Sequence, residues 1–550
     1  MRTHVVTNVV AAPSGLNALR CDPVLSEAVA RWVSPTDPEG AAALDDLGAL
    51  AGTPQVRAWA DQADRVTPVL RTHAPTGVRV DEVEYHPAYH SLMEVAVGNG
   101  LTAHPWTRPA ASGAHARRAA GFLVWSQVEA GHLCPVSMTY AAAPALSAEP
   151  DLAARWLPGL ASRAYDPVLR PMGDKPGLTV GMGMTEKQGG SDVRANTTTA
   201  VAAPGGPLEG DTYRLTGHKW FCSAPMSDAF LVLAQTDAGV GCFLVPRVLD
   251  DGTRNGIHLQ RLKDKLGNRS NASSEIELEH AWAARVGEEG RGIRTIIGMV
   301  ASTRLDCVLG STATMRAALV RAVHHARRRS AFGALLVDQP LMRNVLADLA
   351  LESEAATVLA MRLAHAVDAG EDDLVRLGVA LGKFWVCKRT APMVAEALEC
   401  LGGNGYVEEN GLARLYREAP LNSIWEGSGN VNALDVVRAL TREPASLAAL
   451  GKELALARGH DPVLDAAIDE CESASARALA PDAPWAARRL VERLALTLQA
   501  ALLVRHSPGP VADAFVVSRL GGEHGASFGT LGASVGADAV AQLLERSLRD

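Results

Sequence analysis

The 550-residue chain has no apolar run long enough to span a membrane, and even its greasiest stretch, Leu490 to Val504, is interrupted by Glu492, Arg493 and Gln499. Its opening, Met1-Arg-Thr-His-Val-Val-Thr-Asn8, has no apolar segment of the kind a secretory leader requires, so a cytoplasmic protein without membrane association is expected. Paired cysteine motifs are missing too. The eight cysteines (Cys21, Cys134, Cys222, Cys242, Cys307, Cys387, Cys400 and Cys471) are scattered, with no Cys-x-x-Cys pair and no histidine at ligand spacing, which argues against a disulfide framework and a structural metal. There is no basic excess: with a formal net charge of -8, the whole-molecule field would not attract polyanions, and any anion site must be local. No internal repeat, low-complexity tract or βαβ alternation occurs.

The chain has a 47% hydrophobic content, ample for folding, and a length too great for one compact core. Up to about residue 177 the pattern is helical but broken by prolines and glycines, with helical spacing over Ala119 to Ala130 and Leu152 to Leu160 and an irregular opening. Over 178–285 the period falls to two. Tyr213-Arg-Leu-Thr, Phe230-Leu-Val-Leu-Ala, Cys242-Phe-Leu-Val and Ser274 to Glu279 read as strands of an antiparallel β-domain, separated by glycine-bearing turns. Helical spacing returns over 286–442. One segment runs from Ile293 to Arg329 with an interruption, a second starts at Pro340 and a third stops at Gly402-Gly403, the pattern of an antiparallel bundle. A further helical region, rich in alanine and leucine, fills 443–550. The fold class expected is α+β, predominantly α, in four parts: 1–177, 178–285, 286–442 and 443–550.

Three glycine-rich blocks stand out. In Asn422-Ser-Ile-Trp-Glu-Gly-Ser-Gly-Asn430, Glu426 lies between a large aromatic and glycines that permit close ligand approach. A partly desolvated carboxylate there can act as a base on an acidic C–H, but Ser423-Ile-Trp-Glu426 equally fits a capping box that ties off a helix start. Gly181-Met-Gly-Met-Thr-Glu-Lys-Gln-Gly-Gly-Ser-Asp192 offers two hydroxyls and several backbone N–H groups, suited to ring edges or phosphate oxygens, or else to an ordinary β-turn. Leu401-Gly-Gly-Asn-Gly-Tyr406 is the third block. In Lys219-Trp-Phe-Cys-Ser223 strand alternation sends one aromatic inward and one outward, where it flanks a planar ring or packs as core. Arg327-Arg-Arg329 suits either a phosphate or the negative end of a helix dipole.

Taken together these blocks resemble the acyl-CoA dehydrogenase flavoprotein family. Thr185-Glu-Lys-Gln-Gly-Gly-Ser191-Asp192 looks like its Thr-Glu-x-x-x-Gly-Ser-Asp flavin loop, and Gly217-His-Lys-Trp-Phe-Cys-Ser223 like its Gly-x-Lys-x-Trp-Ile-Thr strand. Arg329-Ser-Ala-Phe332-Gly333, Leu401 to Tyr406 and Trp425-Glu-Gly-Ser428 resemble its Arg-x-x-Phe-Gly, Gly-Gly-x-Gly-Tyr and Tyr-Glu-Gly-Thr motifs, in the family's order. Arg261 to Ala272, Asn422 to Asn430 and the opening Thr3 to Asn8 narrow the resemblance to the AidB-like branch, which is associated with the response to DNA alkylation.

The resemblance implies noncovalent FAD held by Met182, Gly183, Met184, Thr185, Gly190, Ser191, Trp220, Phe221 and Ser223, with Phe221 at the position of the family's ring-stacking tryptophan and Trp220 shifted by one. It implies that Arg329, Phe332, Gln339, Gly402, Gly403 and Asn404 reach the FAD of a neighbouring subunit in a homotetramer, with Ile424, Gly427, Ser428 and Asn430 also cofactor-binding. Glu426 would be the base that removes the proton α to a thioester carbonyl of an acyl-CoA or another small substrate. Lys187 and Trp425 depart from the family's usual proline and tyrosine, so the substrate pocket is expected to differ from that of a fatty-acyl enzyme. Trp425 and Arg438 are its candidate lining residues, with a surface role the alternative for Arg438.

The branch is described as binding double-stranded DNA through its last domain, and Arg488, Arg489 and Arg493 at neighbouring helical positions are the candidates here. From Ser446 onward, however, ten Lys and Arg face thirteen Asp and Glu. The alternatives to an AidB-type flavoprotein are a metabolic acyl-CoA dehydrogenase performing α,β-dehydrogenation and a DNA-binding flavoprotein without turnover.

Overall fold

The computed structural model describes residues 3–549, apart from the side chain at 475. Its chain contacts divide into two units: Met1–Pro54 with Ala110–Gln127 and Arg304–Asp550, and Gln55–Pro109 with Val128–Thr303.

The second unit is organised by a sheet. Its strands are β1 (Val69–His73), β2 (Arg79–Glu84), β3 (Val180–Gly183), β4 (Thr199–Ala202), β5 (Thr212–Ser223), β6 (Ala229–Thr236), β7 (Gly239–Pro246), β8 (Ile257–Leu262) and β9 (Ser273–Val286). β1 and β2 form a separate antiparallel hairpin within the region read as helical; its strands are short and only Asp81 and Val83 of β2 are buried, so they carry little apolar signal. The other seven strands run in the order β3-β6-β4-β5-β9-β7, with β8 beside β9, and an additional β6–β7 pairing makes the sheet curl back on itself. Pairing is mostly antiparallel, but β3 and β4 each lie parallel to β6. β6 and β7 are buried along nearly their whole length, as strands covered on both faces must be. Phe230, Phe243, Leu215 and Ile276 fill the interior.

The first unit is helical. Gly292–Ala326 is one unbroken helix, not the interrupted one expected, and residues 304–326 of it belong to this unit. It contains no proline, and Gly310 sits where an added Cβ would lie 3.1 Å from the Asn422 amide, so that glycine marks a close approach and not a break. Pro340–Asp368 starts with its proline in the first turn, where the missing N–H costs nothing. Asp372–Glu399 ends just before Gly402 and Gly403. Pro444–Ala455, Pro462–Glu472, Ala483–His506 and Ala537–Ser547 are the main helices of the last region. Among the described residues no helix is long and apolar enough to cross a membrane, and all eight cysteines are free and buried.

Candidate flavin cradle and base-bearing turn

In the second unit, the loop after β3 and the end of β5 are joined by backbone and by charge. The Trp220 N–H donates to the Thr185 carbonyl at 2.8 Å. One residue after Thr185 and one before Trp220, the Glu186 carboxylate, with no exposure, accepts from the equally buried Lys219 ammonium at 2.7 Å. Glu186 also accepts from the Thr197 N–H at 2.7 Å, the Thr198 N–H at 3.1 Å and the Gln188 amide at 2.7 Å. Burial by itself would raise the Glu186 pKa; the Lys219 ammonium and the bonds from Thr197 and Thr198 override it and hold the carboxyl well below the usual carboxylate range. Lys219 is also fastened to the Leu233 carbonyl at 2.7 Å, so the pair ties loop, β5 and β6 together. The loop is thereby a fixed surface.

That surface corrects the alternation expected for the two aromatics. Between Lys219 and Cys222 the β5–β9 register slips: three steps on β5 match two on β9, from Ile276 to Ser274. Lys219 and Cys222 both turn inward, and a bulge of this kind puts the two residues between them on one side. Lys263 accordingly has its ammonium over both rings, 3.3 Å from the Trp220 centroid and 4.7 Å from that of Phe221. Phe221 is 53% exposed, a large apolar surface presented beside the Thr185 loop. Gly190 cannot carry a side chain there, since a Cβ would lie 2.4 Å from the Thr185 hydroxyl. Gly190 and Ser191 are exposed, Met182, Met184, Thr185 and Ser223 half-buried and Gly183 buried; the Ser223 hydroxyl meets that of Ser273 at 3.1 Å.

In the first unit, Glu426 lies in a turn and not in a helix start. The helix Gly429–Arg442 has Ser428 as its N-cap, and Leu421–Ser423 is only a single 3-10 turn, so the capping-box alternative fails. Glu426 has φ +57°, a left-handed conformation that costs a non-glycine residue roughly 1–3 kcal/mol in strained settings. Two cations hold it there. The Lys383 ammonium donates to the carbonyls of Trp425 at 2.8 Å and Gly427 at 2.7 Å, and the Arg304 guanidinium donates to the carbonyl between them, that of Glu426, at 3.0 Å. The Trp425 indole donates to Asn422 at 2.8 Å. Three consecutive carbonyls are thus fixed from two helices. Removing the cation with Lys383→Met should lower stability by about 1–3 kcal/mol, the cost of leaving buried acceptors unmade, as urea unfolding would measure. A loss below that range would show that water replaces the ammonium.

Arg438 ion-pairs with Asp435, as do Arg304 at 2.8 Å and Arg376 at 3.0 Å, and half of its side chain is exposed. Burial would raise the Asp435 pKa, but the three arginines outweigh it and lower it. Ile424 and Asn430 are exposed, as is the N-cap Ser428, and Gly427 takes φ +95°. Two further groups stand apart on this unit. Strands β10 (Ser330–Ala331) and β11 (Ala334–Leu335) pair around a two-residue turn, Phe332-Gly333, in which both φ are positive, as tight hairpins favour. Phe332 at its tip is 100% exposed. The Asn8 side chain brackets Ser330, donating to its carbonyl at 2.7 Å and accepting from its N–H at 2.8 Å, and Arg329 donates to the Asn8 carbonyl. Gln339 donates to the Ala331 carbonyl at 2.8 Å. Gly402 has φ +57°, and above it and Gly403 nothing lies within 4 Å of an added Cβ; Asn404 beside them is exposed. On Ala483–His506, Arg488 and Arg489 are exposed, while Arg493 is bound to Glu470 at 2.9 Å.

The sequence reading passed over Glu186, Lys219, Arg304 and Lys383 as functional residues. A signal existed for the first pair, because the flavin-loop motif carries an acid and the strand motif a base. Exposed aromatics beside glycines whose Cβ positions are blocked or open to space suit a large flat cofactor with a phosphate tail, so these residues fit a flavin dinucleotide.

Comparison with known proteins agrees. Residues 8–167 match the adaptive response protein AidB N-terminal domain, 181–281 the acyl-CoA dehydrogenase middle domain and 290–441 the acyl-CoA dehydrogenase C-terminal domain. AidB of Escherichia coli (strain K12) is 45% identical over 519 residues, covering 94% of each chain. Acyl-CoA dehydrogenase family member 11 of Caenorhabditis elegans is 30% identical over 85% of this chain and 78% of its own. The structure of C. elegans ACDH-11 in complex with C11-CoA superposes with a TM-score of 0.81 at 27% identity, covering 99% of this chain and 93% of that one. Fold and motifs define an FAD-dependent oxidoreductase of the acyl-CoA dehydrogenase type. Within that class the chain belongs to the AidB family.

Proposed function

We propose that the protein removes an α-proton from a thioester or a similarly activated carbonyl compound, with Glu426 as the base, and that it serves in the cellular response to DNA alkylation. The observation that carries the catalytic part is the turn itself: one carboxylate, strained at φ +57°, with the carbonyls of residues 425, 426 and 427 each clamped by Lys383 or Arg304. Such rigidity keeps a base at a constant reach and angle, which is what proton transfer from carbon demands. Trp425, pinned by its indole to Asn422, gives the turn an apolar wall in place of a hydroxyl-bearing tyrosine. Bound FAD supplies the acceptor for the hydrogen and electron pair that leave the β-carbon. The acyl-CoA held by the C. elegans relative supports a thioester substrate.

On this reading the cofactor contacts are Met182–Ser191 and Trp220–Ser223, with Phe221 the ring-stacking residue, and the Ile424 to Asn430 turn. Arg329, Phe332, Gln339 and Gly402–Asn404 serve a neighbouring subunit of a homotetramer. Phe332, wholly exposed at the tip of a hairpin that Asn8 and Gln339 brace, supports that assembly. Residues 1–177, 178–285, 286–442 and 443–550 are the working divisions, in a cytoplasmic protein. Three clustered arginines support a second reading, duplex DNA binding by the last division. Only Arg488 and Arg489 are free of the acid that engages Arg493, so the affinity expected is weak and salt-sensitive.

Anaerobic titration of the FAD-loaded protein with a panel of acyl-CoA thioesters separates the possibilities. Bleaching by a restricted set supports the proposal, and bleaching by ordinary straight-chain fatty acyl-CoA indicates a metabolic dehydrogenase. No bleaching beside a salt-dependent shift of duplex DNA would replace it with a flavoprotein that binds DNA without turnover.

A further inference from the structure

The second unit contains a cavity of about 390 Å³ that none of the flavin-loop residues lines. That volume lies within the roughly 300–1,000 Å³ usual for small-molecule sites. Four rings wall it: Tyr85, Tyr89, His90 and Tyr165. Tyr85 and Tyr89 stack at 4.2 Å, His90 stands edge-on to both at 5.9 and 5.7 Å, and its Nδ1 meets the Tyr165 hydroxyl at 2.9 Å. Burial lowers the His90 pKa, so the ring is neutral at pH 7 and offers no competing positive charge.

The charge of the lining bears on which ligand fits. Among its residues are two acids, Glu84 and Asp166, and no lysine or arginine. Both acids are already paired outside the lining, Glu84 with Arg71 at 2.7 Å and Asp166 with Arg170, so neither supplies a free counter-ion and the rings are left as the attractive surface.

We infer that this cavity binds a small organic cation, a methylated ammonium head held among the tyrosines. Aromatic walls attract such heads through the negative faces of their rings, and a methylated ammonium has little hydration to lose on entry. No lysine or arginine lines the cavity to receive an anionic thioester tail.

Calorimetric titration of the FAD-loaded wild-type protein with choline, and in parallel with its uncharged carbon isostere dimethylbutanol, tests this without any variant. Choline should bind about ten- to thirtyfold more tightly. Tyr165→Leu, in a surface loop, should lose most of that preference. Equal binding of the isostere would make the cavity an apolar pocket and overturn the inference, as would binding of neither.

Discussion

Glu426→Gln should slow substrate-driven bleaching of the flavin by about two to four powers of ten while FAD content stays unchanged. The substitution keeps size and hydrogen-bonding shape and removes only basicity. Lys383 and Arg304 grip the turn through backbone carbonyls, which glutamine leaves in place. Stability and cofactor content therefore act as internal controls. Undiminished bleaching in the variant would remove Glu426 from the role of base. Loss of FAD along with activity would show that the residue is needed for the site's shape and not for proton transfer.

The second large effect belongs to Lys219→Met. It leaves the Glu186 carboxylate buried without its cation, a situation that costs about 3–5 kcal/mol when one partner of a buried pair is removed. Urea unfolding should register that loss, and FAD should be held more weakly, because the pair fixes the loop from Thr185 to Ser191 against β5. The double variant Lys219→Met with Glu186→Gln should recover part of the stability, since no charge is stranded, but the amide has one oxygen where the carboxylate used two, so it can accept from only one of the Thr197 and Thr198 N–H groups in the present geometry. A single variant within about 1 kcal/mol of wild type would mean the site is wet enough for a solvated pair. The pH dependence has a definite sign. The folded pKa of Glu186 is depressed, so its contribution is fully present above the ordinary carboxylate pKa of about 4.3 and is lost as pH falls from there toward the folded value. Wild type should lose this increment on acidification, and the double variant should not.

Much of the site was legible because catalytic and cofactor turns write themselves into short strings. Glycine at 190 is demanded by one neighbouring hydroxyl, and glycine at 333 by a hairpin of two residues with positive φ, so local sequence carries the imprint. Strand segments at 213, 230, 242 and 274 were readable from alternation or from apolar runs bounded by turns. The bulge at Trp220 and Phe221 was not, because a register slip depends on the partner strand: Ile276 and Ser274 lie more than fifty residues away from Lys219 and Cys222. The hairpin β1–β2 escaped for a different reason, since strands of five and six residues in which only Asp81 and Val83 are buried leave too short an apolar pattern.

From its sequence alone this protein was assignable to a family, a cofactor and a candidate base, because those rest on runs of residues whose backbone requirements are satisfied nearby. Only the tertiary structure decided how the base is held. Arg304 lies 122 residues from Glu426 and Lys383 lies 42 from Trp425, and a lysine in an apolar helix names no partner until the chain has folded. The cavity of four rings is of the same kind: its walls come from separate segments, and the geometry that makes them a site exists only when packing brings those segments together.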